Sequence, residues 1–326
     1  EVSSIKTPEI LRTMLAAYED KSNPLVWTGN SASGKVWDLA ARGTLDKLPD
    51  ATTGWEVYAE DDYYPIYFDP ARKVKFDNSA SSRNVTVRNS GSVNELILAN
   101  SPAKPYTFTG SGNTLTASTL TAVDGGASTF IDMTLKTTQT DVRNYIVRMG
   151  NAATWKGSAT IGEGGTISLE GGTINLTSLT LNSGALLATT APVTMTATTL
   201  KLAGAAELYI SEGLSSTPYI TFNGSIVSNG GNLDIELWSE SLTGGSKYAL
   251  IRFGTAHSNW ESLFSTTHGT LSYANNILYL TFDPIPGHTW DGQGSIWSNN
   301  QLGNDSVATD GKRVIFKGSA TKTITV

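Results

Sequence analysis

No cysteine occurs in the 326 residues of the chain. Disulfides and thiolate zinc sites are thereby excluded, and the apolar core alone must hold the fold. A thiol-free chain also suits passage across an envelope in the unfolded state, since no premature cross-link can form. Charge is sparse: 16% of residues are charged and the net charge is -6. Such a chain lacks the basic surface that nucleic acid or an anionic membrane would require. No apolar run is long enough to span a bilayer. Histidine is rare, with only His257, His268 and His288, and nothing beside them resembles Gly-x-Ser-x-Gly or His-Glu-x-x-His. All three read as exposed loop histidines.

What the chain has instead is glycine, 32 in all, with abundant Thr, Ser and Asn, and a rhythm of short strands. From Lys73 onward, apolar-polar-apolar runs follow one another, as in Thr166-Ile167-Ser168-Leu169, Thr173-Ile174-Asn175-Leu176 and Ser178-Leu179-Thr180-Leu181. Each is the pattern of a half-buried strand, and glycines such as Gly171-Gly172, Gly184 and Gly204 punctuate them as turns. Ile167, Ile174, Leu179, Leu186, Val193 and Leu200 step by five or seven residues. Three such strands make a coil of ~20 residues, the length scale of a solenoid repeat. An antiparallel sandwich would show longer strands and wider turn spacing. The expectation is an all-β chain, a parallel β-helix of on the order of ten coils and ~50 Å at sheet spacing.

Both ends of that stack have their own signatures. Thr7, Pro8 and Glu9 form a helix start, and Ile10, Leu11, Met14, Leu15 and Tyr18 give residues 7–19 one apolar face, expected to cover the open end of the stack. A dense aromatic group follows, with Trp27, Trp37 and Trp55 expected in the core of an N-terminal cap. Tyr63 and Tyr64, beside Glu60-Asp61-Asp62, are expected at the surface. Near the far end, Thr270-Leu271-Ser272-Tyr273 and Leu278 to Phe282 flank Asn275-Asn276 as a closing hairpin. The organisation expected is a helical segment at 1–23, a Trp-motif cap with an insertion at 24–78, a β-helix with its hairpin at 79–283, and a linker with the start of a second unit at 284–326.

One motif occurs twice. Trp27-Thr28-Gly29, Trp37 and Val74-Lys75-Phe76 recur as Trp290-Asp291-Gly292, Trp297 and Val314-Ile315-Phe316. With Tyr106, Phe108, Gly110 and Gly112, and a closing Tyr248, Leu250, Ile251 strand, the order of these segments resembles the autotransporter-associated β-strand repeat family. Those are passenger-type surface proteins of Gram-negative bacteria. The resemblance spans residues 24–326 and implies a right-handed parallel β-helix, exported to the outer-membrane surface or the medium, with neighbouring repeat units in a longer chain. It brings no catalytic residue with it. The first copy departs from the pattern by its long stretch between Trp37 and Val74.

The candidate chemistry is thin. Asp132, Asp141, Glu163, Glu170, Glu207, Glu212 and Asp234 are dispersed through the coils and read as solvated acids. Asp124-Gly125-Gly126 and Asp310-Gly311 lack the string of an acid protease and read as turns. Glu60-Asp61-Asp62 lacks a Ca²⁺-loop pattern. No cofactor, metal ligand or catalytic residue is assigned. The ligand-binding candidates are Asp61, Asp62, Tyr63 and Tyr64, where aromatic faces beside acids suit a sugar. The expected role is adhesion or scaffolding, contacting glycan or mucin glycoprotein without turnover. The competing expectation is a glycan- or mucin-degrading hydrolase, glycosidase, lyase or aspartic-type protease, working through carboxylates.

Overall fold

A computed structural model describes residues 12–13, 16, 19–29, 35–40, 54–59, 62–211, 213–237, 242–283, 288–290 and 314–316. The N-terminal end holds β1 (Leu25–Trp27), β2 (Val36–Asp38), β3 (Trp55–Ala59), β4 (Asp62–Pro65), β5 (Lys73–Asp77) and β6 (Asn84–Arg88). Each following coil is a long strand and a short one: β7 (Gly91–Ala99) and β8 (Tyr106–Thr109), β9 (Thr114–Ala122) and β10 (Ala127–Ile131), β11 (Thr134–Val142) and β12 (Ile146–Met149). The series continues with β13 (Thr154–Ile161) and β14 (Thr166–Leu169), β15 (Thr173–Leu181) and β16 (Leu186–Thr189), β17 (Val193–Leu202) and β18 (Ala206–Ile210), β19 (Ile220–Ser228) and β20 (Leu233–Leu237). It closes with β21 (Lys247–Phe253), the one-turn helix α1 (Trp260–Leu263), β22 (Phe264–Ser265) and the hairpin β23 (Gly269–Ala274) and β24 (Ile277–Phe282). Two short strands lie further on, β25 (His288–Trp290) and β26 (Val314–Phe316).

The odd-numbered strands β1 to β23, with β4 and β24 towards the two ends, form a 14-stranded sheet, and the remaining even-numbered strands from β2 to β22 form a 10-stranded sheet; within the coils each strand pairs with the strand one coil away. The pairing is parallel throughout the stack. The expected parallel β-helix is therefore the fold, with about seven full coils, marked by the seven strands of eight to ten residues. The coil count is lower than a uniform repeat of ~20 residues predicts, because only the middle of the stack keeps that period. Leu115 pairs with Leu135, Leu135 with Trp155, and Trp155 with Ile174. Towards the C-terminal end Met195 pairs with Phe222 and Ile220 with Ile251, so longer loops widen those coils.

Each long strand turns a corner without breaking its hydrogen-bond ladder. In β9 the inward residues are Leu115 and Ala117, then Leu120 and Ala122, so the alternation slips by one place in mid-strand. β15 does the same with Ile174 and Leu176, then Leu179 and Leu181. The coil thus presents three inward faces, as the strand rhythm implies, although two of them belong to one continuous strand. Register shifts fall at these corners, between Gly157 and Ser158 and between Thr196 and Thr199. Gly157 (φ 92°) holds a left-handed conformation there, and a Cβ on it would run into the Thr137 carbonyl. Glycine is required for both reasons.

The core is a set of columns. Phe76, Leu98, Ala122, Val142, Ile161, Leu181 and Leu202 pair in register along the long sheet. Phe108, Phe130, Met149, Leu169, Thr189, Ile210 and Leu237 do so along the short one. In the short strand β16 it is Leu187 that points inward, while Leu186 is partly exposed. Two groups of buried polar side chains in the coils are satisfied in place. Trp155 Nε1 donates to Thr137 Oγ1 at 2.8 Å, and Thr137 Oγ1 donates to the Ser158 carbonyl at 2.6 Å. Tyr145 donates to Asn100 Oδ1, its hydroxyl lies 2.7 Å from Ser128 Oγ, and Asn100 Nδ2 reaches the carbonyls of Lys104 and Ala127. A buried network of this kind is stabilising only when complete, as this one is.

Residues 12, 13, 16 and 19 are helical, and the Asp20 amide donates to the Ala16 carbonyl at 2.8 Å. The rest of the helix expected over residues 7–19, with its start and apolar face, lies outside the described residues. The buried Arg72 ties the helix end to the stack, donating from Nη1 to the Asp20 carbonyl at 2.8 Å. At the other end the hairpin forms as expected, with Asn275 and Asn276 both at positive φ (51° and 60°), the requirement of a two-residue turn.

The repeated Trp motif makes the same pairing twice. Leu25 faces Val74 and Val26 faces Lys75, a parallel register that sets Trp27 beside Phe76. In the second copy His288 faces Val314, Thr289 faces Ile315 and Trp290 faces Phe316, again parallel. β25 and β26 form their own two-stranded sheet, apart from the two large ones. The long insertion in the first copy supplies the β3–β4 hairpin, which pairs antiparallel with the free edge of β1. It is thus part of how the long sheet ends, and it delivers buried Trp55, Val57, Ile66 and Phe68 to the core.

Trp155→Ala is expected to cost about 3–5 kcal/mol, the range for deleting a large buried aromatic. Lys156→Ala, on the exposed face of the same strand, is expected to stay within about 0.5 kcal/mol. Urea unfolding midpoints of the two variants check the difference. Gly157→Ala is expected to lower the midpoint more than Lys156→Ala, since strain rather than lost contact is its mechanism.

Candidate functional site

Five aromatic rings gather where the stack begins. Trp27, Trp37, Trp55, Phe68 and Phe76 contact one another with centroids 5.1–6.0 Å apart. Trp27 and Trp37 are fully buried and Trp55 is 3% exposed. Trp27 Nε1 donates to the Ser82 carbonyl at 3.1 Å. These tryptophans are core residues, as expected, and offer no face to a ligand.

The hairpin built on this cluster does offer one. β3 and β4 pair Tyr58 with Tyr63 and Val57 with Tyr64. Strand alternation then divides the aromatics. Val57 is buried and Tyr64 packs, partly buried, against the core. Tyr58 and Tyr63 point the other way and are 45% and 48% exposed. Among the described residues only Val227 is a comparably exposed large apolar side chain. The two tyrosine rings lie 5.1 Å apart at 57°, forming a tilted, wet aromatic surface. Glu56 shares their face of β3, two residues before Tyr58.

Of the sequence-derived candidates, Tyr63 therefore stands at the surface. Tyr64 does not stand with it: its neighbour in the strand faces out, so it must face in. Asp61 lies outside the described residues. Asp62 is the first residue of β4, and its side chain lies outside them too. Tyr58 was not singled out from sequence. Its signal was its position, since Tyr58 and Tyr63 are equidistant from Glu60-Asp61, the place where a hairpin would turn.

A second group forms on the outer face of the short sheet. Glu207 pairs in register with Asp234, Tyr209 pairs with Glu236, and Asp234 pairs with Ser265. Ser265 Oγ donates to Asp234 Oδ1 at 2.7 Å, Asn232 Nδ2 donates to Ser265 Oγ at 2.8 Å, and His268 Nε2 lies 2.9 Å from Glu236 Oε2. The Tyr209 hydroxyl is held above its ordinary pKa by loss of water and by the Glu236 charge. The acids that looked dispersed are in part aligned one coil apart. Others form surface ion pairs, Asp141 with Arg143 at 2.6 Å and Glu170 with Arg148 at 3.2 Å. Asp124, Arg143, Asn144 and Glu163 line a groove of about 440 Å³ along stacked turns.

Two histidines correct the expectation of exposed loops. His257 is 7% exposed, with its ring 4.9 Å from Phe253, and His268 is held by Glu236. Aromatic packing explains the first, and polar contacts of Nε2 with the Glu236 carboxylate and the Leu237 amide explain the second. The His288 side chain lies outside the described residues. Among the described residues no group of three or more His, Asp or Glu gathers to hold a metal ion.

No match exists. Comparison with protein-family models, with curated proteins and with solved structures finds nothing similar to this chain. The functional reading therefore rests on the geometry of the site and on the resemblance carried by the repeated Trp motif.

Tyr58→Ala and Tyr63→Ala, at wet positions, are expected to change stability by about 0.5 kcal/mol or less. Trp55→Ala, three residues away on the buried side, is expected to cost about 3–5 kcal/mol. Thermal and urea unfolding of the three variants separates surface tyrosines from core tryptophan.

Proposed function

We propose that the chain is a non-enzymatic β-solenoid module, displayed on the surface of a Gram-negative bacterium or released from it, that serves adhesion or scaffolding by contacting glycans. One observation carries the ligand class: the exposed Tyr58–Tyr63 pair on the β3–β4 hairpin, seated on a buried aromatic cluster. Flat apolar faces with polar tips stack on sugar rings and keep a hydrogen-bonding hydroxyl at the rim. The rigid cluster beneath holds the two rings in place, which lowers the entropy lost on binding. A mucin-type glycoprotein, rich in closely spaced sugars, is the partner class this surface suits.

The outer faces of the coils support the scaffolding half of the reading. Thr114, Thr134, Thr154 and Thr173 stand in register on the long sheet, as do Ser158, Ser178, Thr199 and Ser225. Rows of small hydroxyl side chains make a polar surface of low charge on a stiff rod. The twice-made Trp pairing supports a module that recurs in a longer chain.

The hydrolase reading retains one specific observation, the alignment of Glu207 with Asp234 beside Glu236. Glycosidase carboxylate pairs stand ~5–10 Å apart, and neighbouring strands, ~4.8 Å apart at the backbone, set paired carboxylates near the lower end of that range. A glycan array read in parallel with turnover assays on mucin separates the two. Binding without cleavage, weakened about tenfold or more by the Tyr58→Ala/Tyr63→Ala double variant, is the expected result. Cleavage of mucin that is lost in Asp234→Asn or Glu236→Gln would overturn the adhesion reading.

A further inference from the structure

His257 sits where the last coil meets the closing hairpin. It follows β21, and its ring packs edge-on against Phe253 at 4.9 Å. Phe253 in turn contacts Phe264 of β22 at 5.7 Å and Tyr273 of β23 at 6.0 Å, and Trp260 of α1 stacks on Tyr273 at 6.3 Å. The His257 amide donates to the Tyr273 hydroxyl at 3.1 Å, which binds the residue directly to the hairpin. The imidazole Nε2 is enclosed and has no hydrogen-bond partner among the described residues. An apolar aromatic nest with no acceptor for a second N–H suits only the neutral ring.

The elements around it bring no compensating carboxylate. β21 carries Lys247, Tyr248 and Arg252, α1 carries Glu261, β23 carries Tyr273 and β24 carries Tyr279. Lys247 lies over the Tyr279 ring at 4.2 Å and the Tyr248 hydroxyl accepts from the Thr243 amide at 2.7 Å. Glu261 is exposed on the helix, and no ion pair to His257 forms among the described residues. Burial alone therefore acts on the imidazole, and it holds the pKa below the ordinary 6.5.

We propose that His257 is an acid-sensitive latch: protonation of its enclosed imidazole frees the β23–β24 hairpin from the last coil and uncovers the edge of β21, which β24 covers at neutral pH. The sign follows from burial. The unfolded or opened state takes up a proton below pH 6.5 more readily than the closed state does. Closure is fully favoured above that pH and weakens as the pH falls through the window beneath it. Hairpin opening is local, so the middle of the stack stays folded.

The test combines a histidine NMR titration of the whole chain with hydrogen exchange of the amides in β23 and β24. His257 is expected to titrate below pH 6.5. Protection of the hairpin amides, corrected for intrinsic exchange, is expected to fall on the order of tenfold between pH 7.5 and pH 5, with β11 to β15 unchanged. His257→Phe keeps the apolar bulk and is expected to abolish the pH dependence, whereas His268→Gln is expected to retain it. A His257 that titrates at or above 6.5 in the unaltered protein would overturn the latch. So would a pH-dependent loss of protection that survives in His257→Phe.

Discussion

Everything in this molecule depends on one constraint: each coil must lay its backbone and its inward side chains in register on the coil before. A parallel ladder satisfies the backbone groups only if neighbouring strands keep step, and the columns of apolar side chains keep step only if the ladder does. The column from Phe76 to Leu202 and the column from Phe108 to Leu237 are the two expressions of that rule. Corners are where it is hardest to meet. There the strand must slip by one place while its ladder continues, and Gly157 with its positive φ takes up the strain. A solenoid also has two ends that the rule leaves open, and the rest of the structure is largely concerned with them.

The two ends are closed by different means. At the N-terminal end an insertion between Trp37 and Val74 folds back as a hairpin, adds Trp55 to a ring cluster and leaves two tyrosines in water. At the C-terminal end a hairpin on an Asn-Asn turn covers β21, with Phe253, His257, Trp260 and Tyr273 packed beneath. Functional potential concentrates at these closures, because the coils between them present mainly hydroxyl side chains. The second Trp motif repeats the Trp-Phe register of the first in residues 288–316 but without room for an insertion of that length.

Much of this was legible in the residues. Alternating runs of three to five residues with glycine between them announced strands, and their five- and seven-residue steps announced coils. The hairpin at Asn275-Asn276 and the burial of the three tryptophans followed from turn chemistry and side-chain size. What was not legible depended on distances between coils. Glu207 and Asp234 align only because their coil is longer than the middle ones, and a fixed period misses that pairing. Leu186 against Leu187, and Tyr64 against Tyr63, turn on a one-residue phase that local composition does not decide. His257 looked like an exposed loop residue because its neighbours Ala256 and Ser258 are small, while the rings that bury it come from Phe253 and from β23.

The register rule can be measured directly, since the chain has no cysteine of its own to interfere with site-specific labels. Thr116, Lys136, Lys156, Asn175, Thr196 and Asn223 form one line across six strands of the long sheet. Spin labels at Thr116→Cys and Asn223→Cys, five strand spacings apart, are expected to give one narrow distance distribution centred near ~24 Å. A broad distribution, or a centre beyond ~35 Å at the same strand spacing, would contradict the in-register parallel stack.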